Sequence, residues 1–97
     1  MTSLEIIEII SKKYSTSPEE FIKLGSCLAM KEKKRALQLE RLELLSCYES
    51  ETVKILEDKI KSGAVPEHPS WEGLIEIKNI EDEIREIEND IRTVQQA

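Results

Sequence analysis

No proline interrupts the chain between Pro18 and Pro66, and the stretch opens with a strong signal for a helix. Ser17 can cap the first turn, and Pro18 suits the first helical position because its missing N–H would have no partner there. Glu20, three residues after Ser17, completes the capping-box pattern. A long helix therefore begins at Pro18.

The end of this helix is predicted at Gly63, which can adopt the left-handed conformation that often follows a last helical turn. We therefore predict one helix over 18–62, about 67 Å long. A break at Gly25 is the alternative, because glycine costs about 1 kcal/mol relative to alanine inside a helix. Residues 63–70, GAVPEHPS, are predicted as a proline loop.

Two shorter helices flank the long one. Thr2 and Glu5 form a second capping-box pattern, which predicts a first helix over about 3–14. Ser70 is the expected N-cap of a third helix over about 71–95.

Composition fits an all-α fold with a single domain over 1–97. Charged residues make up 35% of the 97 residues and aromatic residues only 4%, a balance that suits long helices better than a sandwich or barrel. A compact domain of this size buries only about 60–65% of the surface that its unfolded chain exposes. Assembly with another chain would therefore stabilise it considerably.

The third helix carries an isoleucine every three or four residues, which gives it one apolar seam. A turn around Pro66 would lay this seam antiparallel on the second helix, as a long coiled-coil-like hairpin. Helix geometry then predicts the contacts Ile77 with Leu56, Ile80 with Val53, Ile87 with Leu45, and Ile91 with Leu42.

The long helix has apolar residues on two nearly opposite faces. We expect the wider face to be covered within the chain; its members are Phe21, Leu24, Leu28, Leu39, Leu42, Leu45, Val53, Leu56 and Ile60. The third helix would run out near residue 38, so the first helix is expected to fold back over Phe21, Leu24 and Leu28. The second stripe is predicted to bind a partner, and it consists of Met30, Leu37, Leu44, Tyr48 and Ile55. A second copy would close this stripe in a dimeric helical bundle, unless the first helix wraps further and hides part of it.

The charges limit how the third helix can pair. Residues 63–97 hold nine acids and three bases, and acids flank the isoleucine seam. Two third helices in parallel would set acid against acid, for example Glu83 against Glu88, which opposes pairing. Antiparallel packing on the long helix instead offers basic flanks, namely Lys34, Arg41, Lys54, Lys59 and Lys61.

The sequence has no recognisable catalytic, cofactor or metal motif, so we predict that the protein is not an enzyme and binds no small-molecule substrate. The only histidine, His68, lies in the proline loop, and Cys27 and Cys47 would lie about 30 Å apart on one helix. The apolar start carries acids and no basic leader, and no stretch could span a membrane. A cytoplasmic protein is expected.

The one basic cluster, KEKKR, supports an alternative function as a nucleic-acid-associated regulator. Its bases, Lys31, Lys33, Lys34 and Arg35, could contact phosphates. The net charge of −6 argues against nucleic acid as a partner. We therefore predict a non-enzymatic protein–protein interaction module, such as an adaptor, assembly factor or small chaperone-like subunit. It would act as a helical-bundle homo-oligomer, with a dimer favoured, or with a heteromeric protein partner.

Overall fold

The computed structural model describes residues 1–97 and consists of four helices, with no strand. α2 and α4 run antiparallel and form a helical hairpin, α3 packs against α4, and α1 contacts α2. The bounds of the helices are α1 Ser3–Lys13, α2 Pro18–Cys47, α3 Val53–Lys61 and α4 Glu67–Gln95. The predicted all-helical hairpin is confirmed.

The first two helices begin where their capping residues predict. Thr2 Oγ1 accepts a hydrogen bond from the backbone N–H of Glu5 at 3.2 Å, and Ser17 Oγ accepts one from the N–H of Glu20 at 3.1 Å. α2 then passes through Gly25 without interruption. Side-chain oxygens thus satisfy N–H groups that the first turn of a helix leaves without an intrahelical partner.

The prediction of one helix over 18–62 is wrong, because α2 ends at Cys47. Glu49 has a left-handed backbone with φ 50°, and the N–H of Ser50 reaches back to the carbonyl of Leu45 at 3.0 Å. This is the Schellman pattern, in which glycine usually holds the left-handed position. Glutamate holds it here, so the sequence gives no glycine signal for the break.

The turn between α2 and α3 is held by side chains. Lys59 Nζ donates hydrogen bonds to the carbonyl oxygens of Tyr48 at 3.3 Å and Glu49 at 2.6 Å. The hydroxyl of Ser50, a buried residue, donates to the Tyr48 carbonyl at 3.1 Å. Thr52 then caps α3. Gly63, with φ 79°, follows the end of α3, and the same residue was the predicted end of the long helix.

The start of α4 differs from the prediction that Ser70 would cap it. Ser70 lies inside the helix and is buried. His68, two residues earlier, has the non-helical angles φ −109° and ψ 125°. Pro69 follows His68. Regular helical geometry therefore begins after His68.

Two apolar clusters form the core along the hairpin. The first joins α2, α3 and α4 and consists of Leu45, Leu56, Ile60, Leu74 and Ile77. The second joins α2 and α4 through Leu37, Ile80 and Ile84, with Ile87 packed against it. The isoleucine seam of α4 therefore closes within the same chain.

The register of the hairpin is shifted from the predicted one. Ile77 does share a cluster with Leu56, but Ile80 packs with Leu37 instead of Val53, and Ile87 packs on the same second cluster instead of on Leu45. The cause is the break after Cys47, which removes α3 from the line of α2. α4 therefore extends along α2 as far as its first turns, where Lys23 Nζ donates a hydrogen bond to the carbonyl of Ala97 at 2.9 Å. The predicted register instead places Ile91, near the end of α4, beside Leu42.

Ion pairs flank this apolar contact. Arg41 Nε lies 2.8 Å from Glu81 Oε2, and Lys34 Nζ lies 3.8 Å from Glu88 Oε1. Both pairs join a base on α2 to an acid beside the isoleucine seam, as the charge pattern predicts. Lys59 binds backbone carbonyls instead of an acid of α4.

Candidate interaction surface

Four leucines of α2 point away from α4 and are exposed. Their exposed fractions lie between 49% and 59%. We call them the outward stripe, and its members are Leu24, Leu28, Leu39 and Leu42. Leu39 and Leu42 were predicted to face the third helix in the hairpin core, and Leu24 and Leu28 were predicted to be covered by the first helix. Both parts of the prediction are wrong, because all four side chains are exposed. The apolar face of α2 that was predicted to be buried is therefore exposed, and the face that was predicted to be exposed packs against α4.

Exposed apolar side chains also lie around α1. Leu4, Ile6, Ile9 and Ile10 are all exposed, and we call these four residues the α1 patch. α1 is attached near the start of α2, where the rings of Tyr14 and Phe21 stack with centroids 6.3 Å apart. α1 therefore contacts α2 while most of its own apolar side chains remain in solvent.

The predicted partner-binding stripe occupies the inside of the hairpin. Leu37 is only 5% exposed and packs with Ile80 and Ile84, and Leu44 packs on both core clusters. Tyr48 packs on the first cluster, and Met30 is half-buried. The prediction that these residues form an open surface is therefore wrong. Ile55, on α3, is the one member of the five that is exposed.

The basic cluster is partly neutralised by acids. Lys34 pairs with Glu88 across the hairpin, and Arg35 pairs with Glu32 one turn before it, at 3.2 Å. Lys31 and Lys33 are exposed. Because consecutive residues of a helix point about 100° apart, the four bases surround α2 rather than form one flat patch.

Polar side chains elsewhere form ion pairs both within single helices and between helices. Lys61 donates a hydrogen bond to the Glu57 carboxylate, and its charge, together with that of Lys78 on α4, lowers the pKa of Glu57 below its ordinary value. His68 Nδ1 lies 3.1 Å from Glu72 Oε1. No group of three or more His, Cys, Asp or Glu side chains is placed to hold a metal ion. A shallow cavity of about 530 Å³ lies beside the pair of His68 and Glu72. It is lined by Ile60, Lys61, Glu67, His68, Trp71 and Glu72.

Comparison with known proteins places the chain in a family. A family model described as "Uncharacterized protein MJ0235 family" matches residues 8–97, which include all of α2, α3 and α4. The chain belongs to this family. No curated protein and no solved structure matches it. The outward stripe lies wholly within the residues that define the MJ0235 family match, and the α1 patch lies partly within them.

This family member exposes more surface than a compact monomer of its mass. Its solvent-accessible surface is 7063 Å², whereas a folded monomer of 11.2 kDa typically has about 5,700 Å². The excess is about 1,400 Å². None of the helices is both long and apolar enough to cross a membrane.

Proposed function

We propose that this chain is a non-enzymatic protein-interaction module that completes a helical bundle with another helical chain. It would serve as a small adaptor, assembly factor or chaperone-like subunit. The observation that carries this proposal is the exposure of the outward stripe on a helix whose opposite face is already packed against α4.

The energetic argument rests on the size of the exposed side chains. Fully burying one exposed leucine is worth about 1.5–3 kcal/mol. The four leucines of the outward stripe are each about half exposed, so burying them is worth about 3–6 kcal/mol in all. The net stability of a small domain is about 5–15 kcal/mol, so burying this stripe would add a substantial fraction of it. The stripe consists of two pairs of neighbouring leucines, Leu24 with Leu28 and Leu39 with Leu42, and exposed apolar patches commonly mark sites of protein–protein contact.

A reducing compartment, such as the cytoplasm, fits the cysteines. Cys27 and Cys47 are both free thiols, and Cys47 is exposed. Disulfides form and persist mainly in oxidising compartments, whereas cytosolic thiols are kept reduced. We therefore propose the cytoplasm as the site of the interaction.

Affinity capture would first identify a partner, which is then purified. Sedimentation velocity of the chain at 1–100 μM, alone and mixed with this partner, tests the proposed function. We expect a species heavier than the 11.2 kDa monomer, and we expect Leu39→Glu to weaken its formation at least tenfold, because a charge would be buried in an apolar contact. Ile75→Glu on α4 is the matched control, since Ile75 is 47% exposed and lies outside the stripe. A chain that stays monomeric and binds no purified partner would contradict the proposal.

A further inference from the structure

We propose that the molecule bound by the outward stripe is a second copy of this chain, lying antiparallel along α2. The two-fold axis would cross α2 between Lys33 and Lys34. This inference rests on the proposed interaction function and names the partner and the geometry of contact.

The spacing of the stripe is nearly symmetric about that point. Leu28 lies about 8 Å before the axis along α2, and Leu39 lies about 8 Å after it. Leu24 and Leu42 lie about 14 Å and 13 Å from the axis on opposite sides. In an antiparallel pair each leucine near one end of the stripe would therefore meet a leucine of the second copy, so the stripe is complementary to itself.

The charged residues between the leucines follow the same symmetry. Glu32 and Arg35 lie about 2 Å from the axis on opposite sides. Within one chain they form a pair at 3.2 Å, and both side chains are exposed. In the antiparallel dimer, Glu32 of each copy would also face Arg35 of the other copy, which gives two further opposite-charge contacts at the centre.

These residues share one side of α2. At about 100° per residue, the four leucines, Glu32 and Arg35 fall within an arc of about 80°. Leu37 and Leu44, which contact the α4 clusters, lie on the opposite side. A second copy could thus bind the stripe without displacing α4.

The placement of α4 also limits repulsion between two acidic chains. The net charge of each chain is −6, and residues 63–97 hold nine acids against three bases. Because α4 packs on the far side of α2 from the stripe, the two α4 helices would lie on the outside of the dimer. The contact itself would join surfaces of mixed charge.

The exposed area suffices for such a contact. A stable interface buries about 800 Å² on each partner. The accessible surface of this chain exceeds that of a compact monomer by about 1,400 Å², which fits its elongated shape. An interface of the usual size would cover about half as much area as this excess.

A charge-exchange experiment tests this geometry with sedimentation equilibrium on the full chain. Glu32→Arg alone would place arginine against Arg35 of the second copy, and Arg35→Glu alone would place two glutamates together. We expect each variant to raise the dimer dissociation constant about tenfold, because two attractive contacts become repulsive. Lys33→Glu, which points away from the stripe, is the control and should leave the constant unchanged.

The decisive sample is an equimolar mixture of the Glu32→Arg and Arg35→Glu chains. Neither chain has an opposite-charge pair at these positions within itself, but a mixed dimer would have two. Recovery of the wild-type dissociation constant in the mixture, through mixed dimers, would support the antiparallel contact. A rescue of this kind cannot arise from the fold of either chain alone.

The remaining outcomes separate this inference from the proposed function. A wild-type dimer that resists all these charge changes, and also Leu28→Glu, would overturn the geometry but leave an interaction module that uses another surface. A monomeric chain that binds a different purified protein through the stripe would overturn the self-association only. A monomer that binds nothing would overturn both. Circular dichroism of each variant would confirm that the helices have formed.

Discussion

Gly73 allows a close approach between α2 and α4. The ring of Tyr48 lies directly over this glycine, and a Cβ built there would be 2.7 Å from Tyr48 Cζ and 2.6 Å from Cε2. Tyr48 is half-buried and packs against the first core cluster. A methyl group at position 73 would therefore push the ring out of its packed position. Gly25, on the same hairpin, has nothing within 4 Å of an added Cβ.

We predict that alanine at these two glycines changes stability in opposite directions. Gly25→Ala should raise the free energy of unfolding by about 0.5–1 kcal/mol, because alanine is the better helix former. Gly73→Ala should lower it by about 1–2 kcal/mol, because the displaced ring outweighs the same gain in helix propensity. Urea unfolding followed by circular dichroism at one fixed protein concentration measures both changes. Equal stabilisation by the two substitutions would show that the Tyr48 ring does not constrain position 73.

At the scale of the helices, α1, α2 and α3 all end in the same way. Each is followed by a left-handed residue, and these three residues are Ser15 with φ 55°, Glu49 with φ 50° and Gly63 with φ 79°. A non-glycine residue in this conformation costs about 1–2 kcal/mol. The bonds from Lys59 and Ser50 to the carbonyls at the end of α2 help to offset that cost.

We predict that Lys59→Met lowers the free energy of unfolding by about 1 kcal/mol. The substitution keeps the apolar stem but removes an ammonium group that binds two carbonyl oxygens at the end of a helix, where a positive charge is favourable. Lys54→Met is the matched control on the same helix, and we expect a change within about 0.5 kcal/mol. Thermal unfolding of the two variants side by side tests this difference, and equal effects would contradict a role for Lys59 in holding the turn.

A helix end could be predicted from the sequence where neighbouring residues determine it, and could not be predicted where contacts with distant residues determine it. Thr2 and Ser17 bond to their own first turns, so local sequence is sufficient to place those starts. Glu49 could not be recognised, because a glutamate has no local preference for the left-handed region and is held there by contacts with the rest of the turn.

The candidate surface was harder to predict than the helices. Both faces of α2 are apolar, and local sequence cannot decide which of them meets α4. The choice depends on the direction in which the chain leaves the turn at 48–52, and this turn was itself missed. Leu37 and Leu44 therefore exchanged roles with Leu39 and Leu42, although all four were identified as interface residues of some kind.

At the scale of the whole molecule, the monomer is a rod. Its dimensions are 61 × 24 × 18 Å and its radius of gyration is 19.8 Å, whereas a compact domain of this length would have about 12.5 Å. The rod has only two helices across most of its length. Each helix therefore packs on one side only, which explains why so few of its residues are buried.

We predict that the dimer is wider than the monomer and only slightly longer. Because the proposed axis lies near the middle of α2, the two rods would lie side by side. Small-angle X-ray scattering of the dimer should give a largest dimension closer to the monomer's 61 Å than to twice that value. An end-to-end arrangement would approach twice the length and would contradict the proposed contact. A dimer-disrupting variant such as Leu28→Glu supplies the monomer curve for comparison.

The antiparallel register of α2 and α4 also implies an order of folding. Contacts near the α3 turn join residues that are close along the chain, whereas Arg41 and Glu81 are 40 positions apart and Lys23 and Ala97 are 74 apart. The entropy lost on closing a loop grows with its length, so the shortest loop closes first. The hairpin would form at the α3 end and extend one turn at a time toward both termini. Backbone amides near Lys23 and Ala97 would then exchange with solvent faster than amides at the α3 end of the hairpin, because the Lys23 end closes last and opens first.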